Sequence, residues 1–255
     1  MVVLDGVWRT DVMFRGKVEA GIDSHVPGNF ELDLHRAGLV PDPYIRMNGQ
    51  ALRHYEFCDW VMRRTFEFHG KPGARCRLVL DGVDAIAEVK LNGRTLGRCE
   101  NAFISHVFAV DEALRDGENL LEVTLLSATR AAAGATRVEP GDYSFLHRNL
   151  ESLRIRRPAH VWGWDITPRM ALGGIFKSVR IEEIPDDEII DCFHGVEKHE
   201  KERALLACHY NLRLADPEMA GYTLRVSGRC GGSSFELVER VSFTSGIARF
   251  AVVNP

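Results

Sequence analysis

Asp165 stands in the stretch of this 255-residue chain densest in groups that can do chemistry, residues 154–169, RIRRPAHVWGWDITPR. Trp164 and Ile166 flank it, Trp162 precedes it by three residues, and arginines occupy 154, 156, 157 and 169. The carboxylate is expected to be buried. Such a group has about four lone-pair sites and can accept from two neighbouring donors at once. The alternative is a structural ion pair with Arg156, Arg157 or Arg169. Strict strand alternation would put Trp162 and Trp164 on one face, but an irregular loop between two prolines is not bound to that period, so one could face a ligand while the other anchors the loop. The arginines could form an anion site, but they more simply orient Asp165 and lace the loop to its neighbours. Prolines at 158 and 168 remove backbone donors and fix φ at both ends. A loop so rich in aromatic and charged groups reads as a binding surface rather than a connector. Asn101 follows a strand and is a second candidate contact, with a turn-forming role as the alternative.

Several chemistries lack support. The net charge of -4 gives no basic balance for nucleic acid or an anionic membrane. No apolar run is long enough to span a bilayer. The start of the chain has neither a basic n-region nor an apolar h-region, which leads to the expectation of a cytoplasmic protein. The six cysteines form no CxxC and the ten histidines no HExxH, so no metal is expected, and the thiols are expected to pack as small hydrophobes. A zinc site would need ligands at close paired spacings. No Gly-x-Ser-x-Gly elbow supports a serine hydrolase. No cofactor motif is present.

The elements that must hold the loop are mostly strands. Residues 60–68 alternate and are rich in β-formers. Further strands are expected at 75–80, 86–91, 94–97, 106–110, 119–126 and 176–183. Asn92-Gly93 is the strongest hairpin signal among them. Residues 30–38 fit a short helix ending at Gly38, and Pro41-Asp42-Pro43-Tyr44 a rigid turn. The Ala-rich piece 131–135 reads as a loop or short helix. Many short strands with turn signals between them argue an all-β, jelly-roll-like sandwich. A boundary fits at 184–187. Beyond it five strands are expected (187–196, 204–214, 222–226, 236–243 and 247–253), against the seven usual in an immunoglobulin-like sandwich. The expected organisation is therefore a jelly-roll domain over 1–184, then an incomplete immunoglobulin-like domain over 187–255.

Val26-Pro27-Gly28, Asp33-Leu34, Gly38, Pro41-Asp42-Pro43-Tyr44, Asn48 and Trp60 resemble the N-terminal segment of β-mannosidase-like members of glycoside hydrolase family two. Leu91-Asn92-Gly93, Leu96-Gly97, Asn101-Ala102-Phe103 and Gly117-Glu118-Asn119-Leu120 continue the likeness. Residues 156–168 are similar to that family's Trp-Asp loop, and Asn254-Pro255 falls where its immunoglobulin-like domain runs on into a Trp-Pro motif. One position departs: Ile166 stands where the family often carries a second tryptophan.

The resemblance implies a galactose-binding-domain-like jelly roll, then an immunoglobulin-like sandwich, then a (β/α)8 barrel that carries an acid/base and a nucleophile glutamate. A barrel needs roughly 250 further residues, so no catalytic carboxylate is assigned in this chain. Asp165 is implied to reach the barrel's pocket and bind hydroxyls of a terminal β-linked mannose or related sugar. Trp164 and Trp162 would offer indole faces to the sugar's C–H face, and Asn101 a turn near the pocket. The implied partners are that carbohydrate and the barrel of the same parent protein, with neither nucleic acid nor membrane. A stand-alone carbohydrate-binding or interaction sandwich is the second reading, because the fold alone does not decide function.

Overall fold

The structure, a computed structural model, describes residues 1–70, 74–134, 154–230 and 232–253. Two compact units emerge, Met1–Ile184 and Pro185–Pro255. The first unit runs through β1 (Val2–Val3), β2 (Gly6–Phe14), β3 (Lys17–Val26), α1 (Phe30–Arg36), β4 (Asp59–Phe68), β5 (Cys76–Leu80), β6 (Val83–Asp84), β7 (Ala87–Leu91), β8 (Arg94–Cys99), β9 (His106–Ala109), β10 (Gly117–Leu125), α2 (Ala128–Gly134), β11 (Gly174–Ile175) and β12 (Val179–Glu183).

These strands form an antiparallel six-stranded sheet, β3-β2-β4-β10-β7-β8, and a four-stranded sheet, β1-β12-β5-β9. A short β6–β11 pair sets Asp84 opposite Gly174. The sandwich follows from period-two alternation. In β10, Asn119, Leu121, Val123 and Leu125 are buried while the residues between them are not. The buried residues of both sheets meet in one core: Trp8, Trp60, Met62, Val89 and Leu121 from the larger sheet, Leu78, Leu80, Val179 and Ile181 from the smaller.

Local signals held where a specific backbone geometry was required. Asn92 and Gly93 adopt φ of 51° and 81°, the left-handed pair that a two-residue hairpin needs. The Asn92 side chain also donates to the Ala113 carbonyl and to Asn119 Oδ1, each at 2.8 Å. Helix α1 is capped by Asn29, whose Oδ1 accepts from the Leu32 amide at 3.0 Å. It gives way to Gly38 at φ 73°. Pro43 and Tyr44 lie in a turn whose Asp42 side chain accepts from the Tyr44 amide. The Ala-rich piece joins α2 as far as 134. Position 135 lies outside the described residues, as do Asn254 and Pro255.

The short strands β1, β6 and β11 and one larger feature were missed. Residues 6–26 form the β2–β3 hairpin, turning at Arg15-Gly16 with φ of 49° and 79°. Its outer strand is largely exposed, so it shows weak apolar alternation. The readable signal lay in β2, where Trp8, Thr10 and Val12 share the buried face.

The second unit contains β13 (Glu188–Glu200), β14 (Arg203–Arg213), β15 (Thr223–Cys230), β16 (Ser233–Arg240) and β17 (Ser245–Val253). β13-β14-β17 form one antiparallel sheet and β15-β16 another. Between them Cys208, Val226 and Ala248 are buried, with Tyr210, Phe235 and Phe250 packed against them.

Candidate functional site

The loop that carries Asp165 is a closed turn on a fixed base. Trp164 and Thr167 exchange two backbone hydrogen bonds, at 2.9 and 3.2 Å, leaving Asp165 and Ile166 at the tip. One step down, the Met170 amide donates to the Val161 carbonyl at 2.9 Å. Between these rungs Gly163 takes φ 104°, a conformation that L side chains avoid. The tip is open to solvent: Trp164 is 67% exposed, Ile166 93%, and Asp165 is also exposed. The expectation that Asp165 is buried is thus corrected. The two rungs end at Trp164, so the next two side chains have nothing to pack against. Among the described residues no hydrogen bond or ion pair engages the Asp165 carboxylate.

Two of its supposed arginine partners are committed elsewhere, and the third, Arg156, is exposed. Arg157, with a fully buried side chain, donates to Asp84 Oδ2 at 2.7 Å and to the Ala171 carbonyl at 2.9 Å. Arg169 binds the buried Glu56 through Nε and through a 2.6 Å contact from Nη2. Both guanidinium groups lie over the Trp162 ring, at 5.0 and 4.9 Å from its centroid. Trp162 is 1% exposed and packs on Ala128 and Ala171. This burial corrects the expectation of a sugar contact at Trp162: the side chain anchors the loop between two ion pairs. Arg157 and Arg169 thus lace the loop to its neighbours, but neither touches Asp165, so the expectation that the arginines orient it is corrected.

Asn101 is brought beside the loop by an isolated bridge to Arg156, with the Ala102 amide donating to the Arg156 carbonyl at 2.8 Å. Its Oδ1 accepts from the Phe103 amide at 3.0 Å. That is the turn-forming role, and it leaves the amide nitrogen and one oxygen lone pair to offer. Phe103 and Ile104, in the same turn, are exposed. Trp164 and Asp165 thus share one solvent-facing tip, Asn101 lies against the loop's base, and Trp162 lies beneath.

A cleft of about 330 Å³ opens beside the loop, lined among others by Glu31, Tyr44, Asp84, His160, Pro168 and Phe176. It takes the flanks of the loop but not its tip. Glu31 was missed by the sequence reading, since nothing local distinguishes a first-turn helical glutamate from a solvated one. Its Oε1 accepts from the Leu172 amide at 3.0 Å. Burial pushes its carboxyl from 4.5 up to about 6, opposed by backbone hydrogen bonds and by the Arg157 charge.

Residues 11–177 match the family described as glycosyl hydrolase 2 galactose-binding domain-like. β-Mannosidase B of Emericella nidulans is 30% identical over 212 residues, which cover 80% of this chain and 25% of that protein. The β-mannosidase of Mus musculus is 30% identical over 192 residues, 70% of this chain and 21% of that one. Among solved structures, the β-D-mannosidase of Dictyoglomus thermophilum superposes with a TM-score of 0.79 at 27% identity. That match covers 100% of this chain and 31% of the other. The β-glucuronidase of Bifidobacterium dentium, at a TM-score of 0.64 and 18% identity, shares the fold. The chain spans about a quarter of the length of the curated relatives it matches.

Proposed function

The chain belongs to the glycosyl hydrolase 2 galactose-binding domain-like family, and from that premise we propose that it is the non-catalytic sugar-binding region of a retaining, exo-acting, β-mannosidase-like glycosidase. Asp165 then helps to form the −1 subsite together with a catalytic barrel of the parent protein. Retention requires two carboxyl groups about 5–5.5 Å apart across the scissile bond, and the barrel supplies them.

One observation carries this reading: an exposed carboxylate, unpaired among the described residues, held at the tip of a doubly bonded turn above a base fixed by two ion pairs. A carboxylate left without an intramolecular partner keeps its lone pairs for hydroxyl donors, and charge-assisted bonds are roughly twice as strong as neutral ones. A fixed acceptor also discriminates between epimers, because an inverted hydroxyl leaves it unpaired. Trp164 beside it offers an indole face to the C–H face of a pyranose, and Asn101 can add a donor through its amide nitrogen. Specificity for a terminal β-linked mannose or a close relative belongs to this proposal.

The test is Asp165→Asn in the full-length parent enzyme. The variant should fold normally and lose at least about tenfold in kcat/KM for an aryl β-mannoside, the scale of one lost charge-assisted contact in the transition state. An unchanged value removes Asp165 from the subsite. The isolated chain should bind mannosides poorly. Measurable affinity without the barrel would favour a stand-alone binding module.

A further inference from the structure

Three metal-ligating atoms, two thiol sulfurs and an imidazole nitrogen, converge on one face of the second unit. Cys192 and His194 are two residues apart on β13, so their side chains share a face. Cys208 on β14 is the cross-strand partner of His194. The Cys192 sulfur lies 3.5 Å from the Cys208 sulfur and 3.3 Å from His194 Nε2. All three ligand atoms fall within 4.8 Å of one another. In a tetrahedral zinc site, bonds of about 2.3 Å to sulfur and about 2.05 Å to nitrogen set two sulfurs about 3.8 Å apart and sulfur and nitrogen about 3.5 Å apart. The two measured spacings are within a few tenths of an ångström of these edges.

We propose that Cys192, His194 and Cys208 form a zinc(II) site with its fourth position open to solvent or to an external ligand. The cysteines are free thiols. Cys208 is 1% exposed and supplies a ligand fixed from inside the unit. Cys192 and His194 are exposed and leave the ion a path of entry. An exposed cysteine is not a packed hydrophobe, so the expectation drawn from the sequence fails at Cys192. Two thiolates and an imidazole are a soft donor set that selects zinc over magnesium or calcium. The ligands sit on two paired strands, which hold them more rigidly than a loop would. On binding, each thiol loses its proton to the buffer as its sulfur–zinc bond forms.

The test is a titration of the reduced 255-residue chain with cobalt(II) under anaerobic conditions. A sulfur-to-cobalt charge-transfer band should grow to one equivalent with tetrahedral visible bands, and equimolar zinc should abolish it. Cys192→Ser and His194→Gln, both at exposed positions, should each keep the wild-type circular dichroism and weaken zinc binding by at least about tenfold. Absence of the band from the reduced wild-type protein overturns the proposal. So does a band that persists unweakened in both variants, which would place the metal elsewhere, for instance at the Glu19–His54–Cys58 group.

Discussion

Glu31 shows how much one buried carboxyl can impose on the molecule. The folded protein holds its proton more tightly than the unfolded chain, because burial disfavours the charged form. Its contribution to stability is therefore fully present below pH 4.5 and is lost as the pH rises through about 6. A shift of this size corresponds to roughly 2 kcal/mol. Glu31→Gln keeps an oxygen for the Leu172 amide and removes the charge. Urea unfolding at pH 4.5 and pH 7 should show the wild type losing about 2 kcal/mol relative to the variant across that interval. Parallel behaviour of the two proteins would mean that water reaches the carboxylate. The position is informative because Glu31 faces the cleft: a ligand that donates a hydrogen bond there would lower its pKa and remove part of this dependence.

The loop from 158 to 170 is an element without regular secondary structure beyond one 3₁₀ turn at Ala159–Trp162. Its order comes from charge pairing beneath it. Asp84 is positioned by the β6–β11 pair, Glu56 by a neighbouring 3₁₀ turn, and each holds one arginine against Trp162. Removing one partner of a buried pair leaves the other charge uncompensated, which costs about 3–5 kcal/mol. Arg157→Ala should therefore destabilise the first unit by that amount in chemical denaturation and loosen the loop to protease at 158–170. Arg156→Ala, at an exposed position on the same stretch, serves as the control and should stay close to wild type. A small change at Arg157 would show that Trp162 packing alone holds the loop.

At the scale of the molecule, the buried members of the principal core, among the described residues, lie between Leu4 and Ile181. Residues 1–184 expressed alone should accordingly unfold in one cooperative transition, with the near-ultraviolet circular dichroism of buried tryptophan. A molten spectrum would overturn that independence. Much of the strand succession was legible because period-two burial, Asn-Gly chemistry and glycine at positive φ act within a few residues; β2 went unread although Trp8, Thr10 and Val12 share its buried face. The exposed outer strand β3 lacked that contrast and went unread. In the loop, the residue types WGWD raised the expectation of a binding surface, but no local period separated Trp162 from Trp164; between them Gly163 takes φ 104°. Which of the two was buried depended on Asp84 and Glu56, residues far away in the chain. The cysteine spacing spoke against a metal because ligand pairs were sought along the chain, whereas Cys208 meets His194 across strands. The sequence by itself determined the strands, their turns and the chemistry of the loop, because those depend on near neighbours. Only the tertiary structure decided which arginine pairs with which acid, that Asp165 stands exposed, and that two thiols and an imidazole converge, because pairing and burial are set by contacts between distant segments.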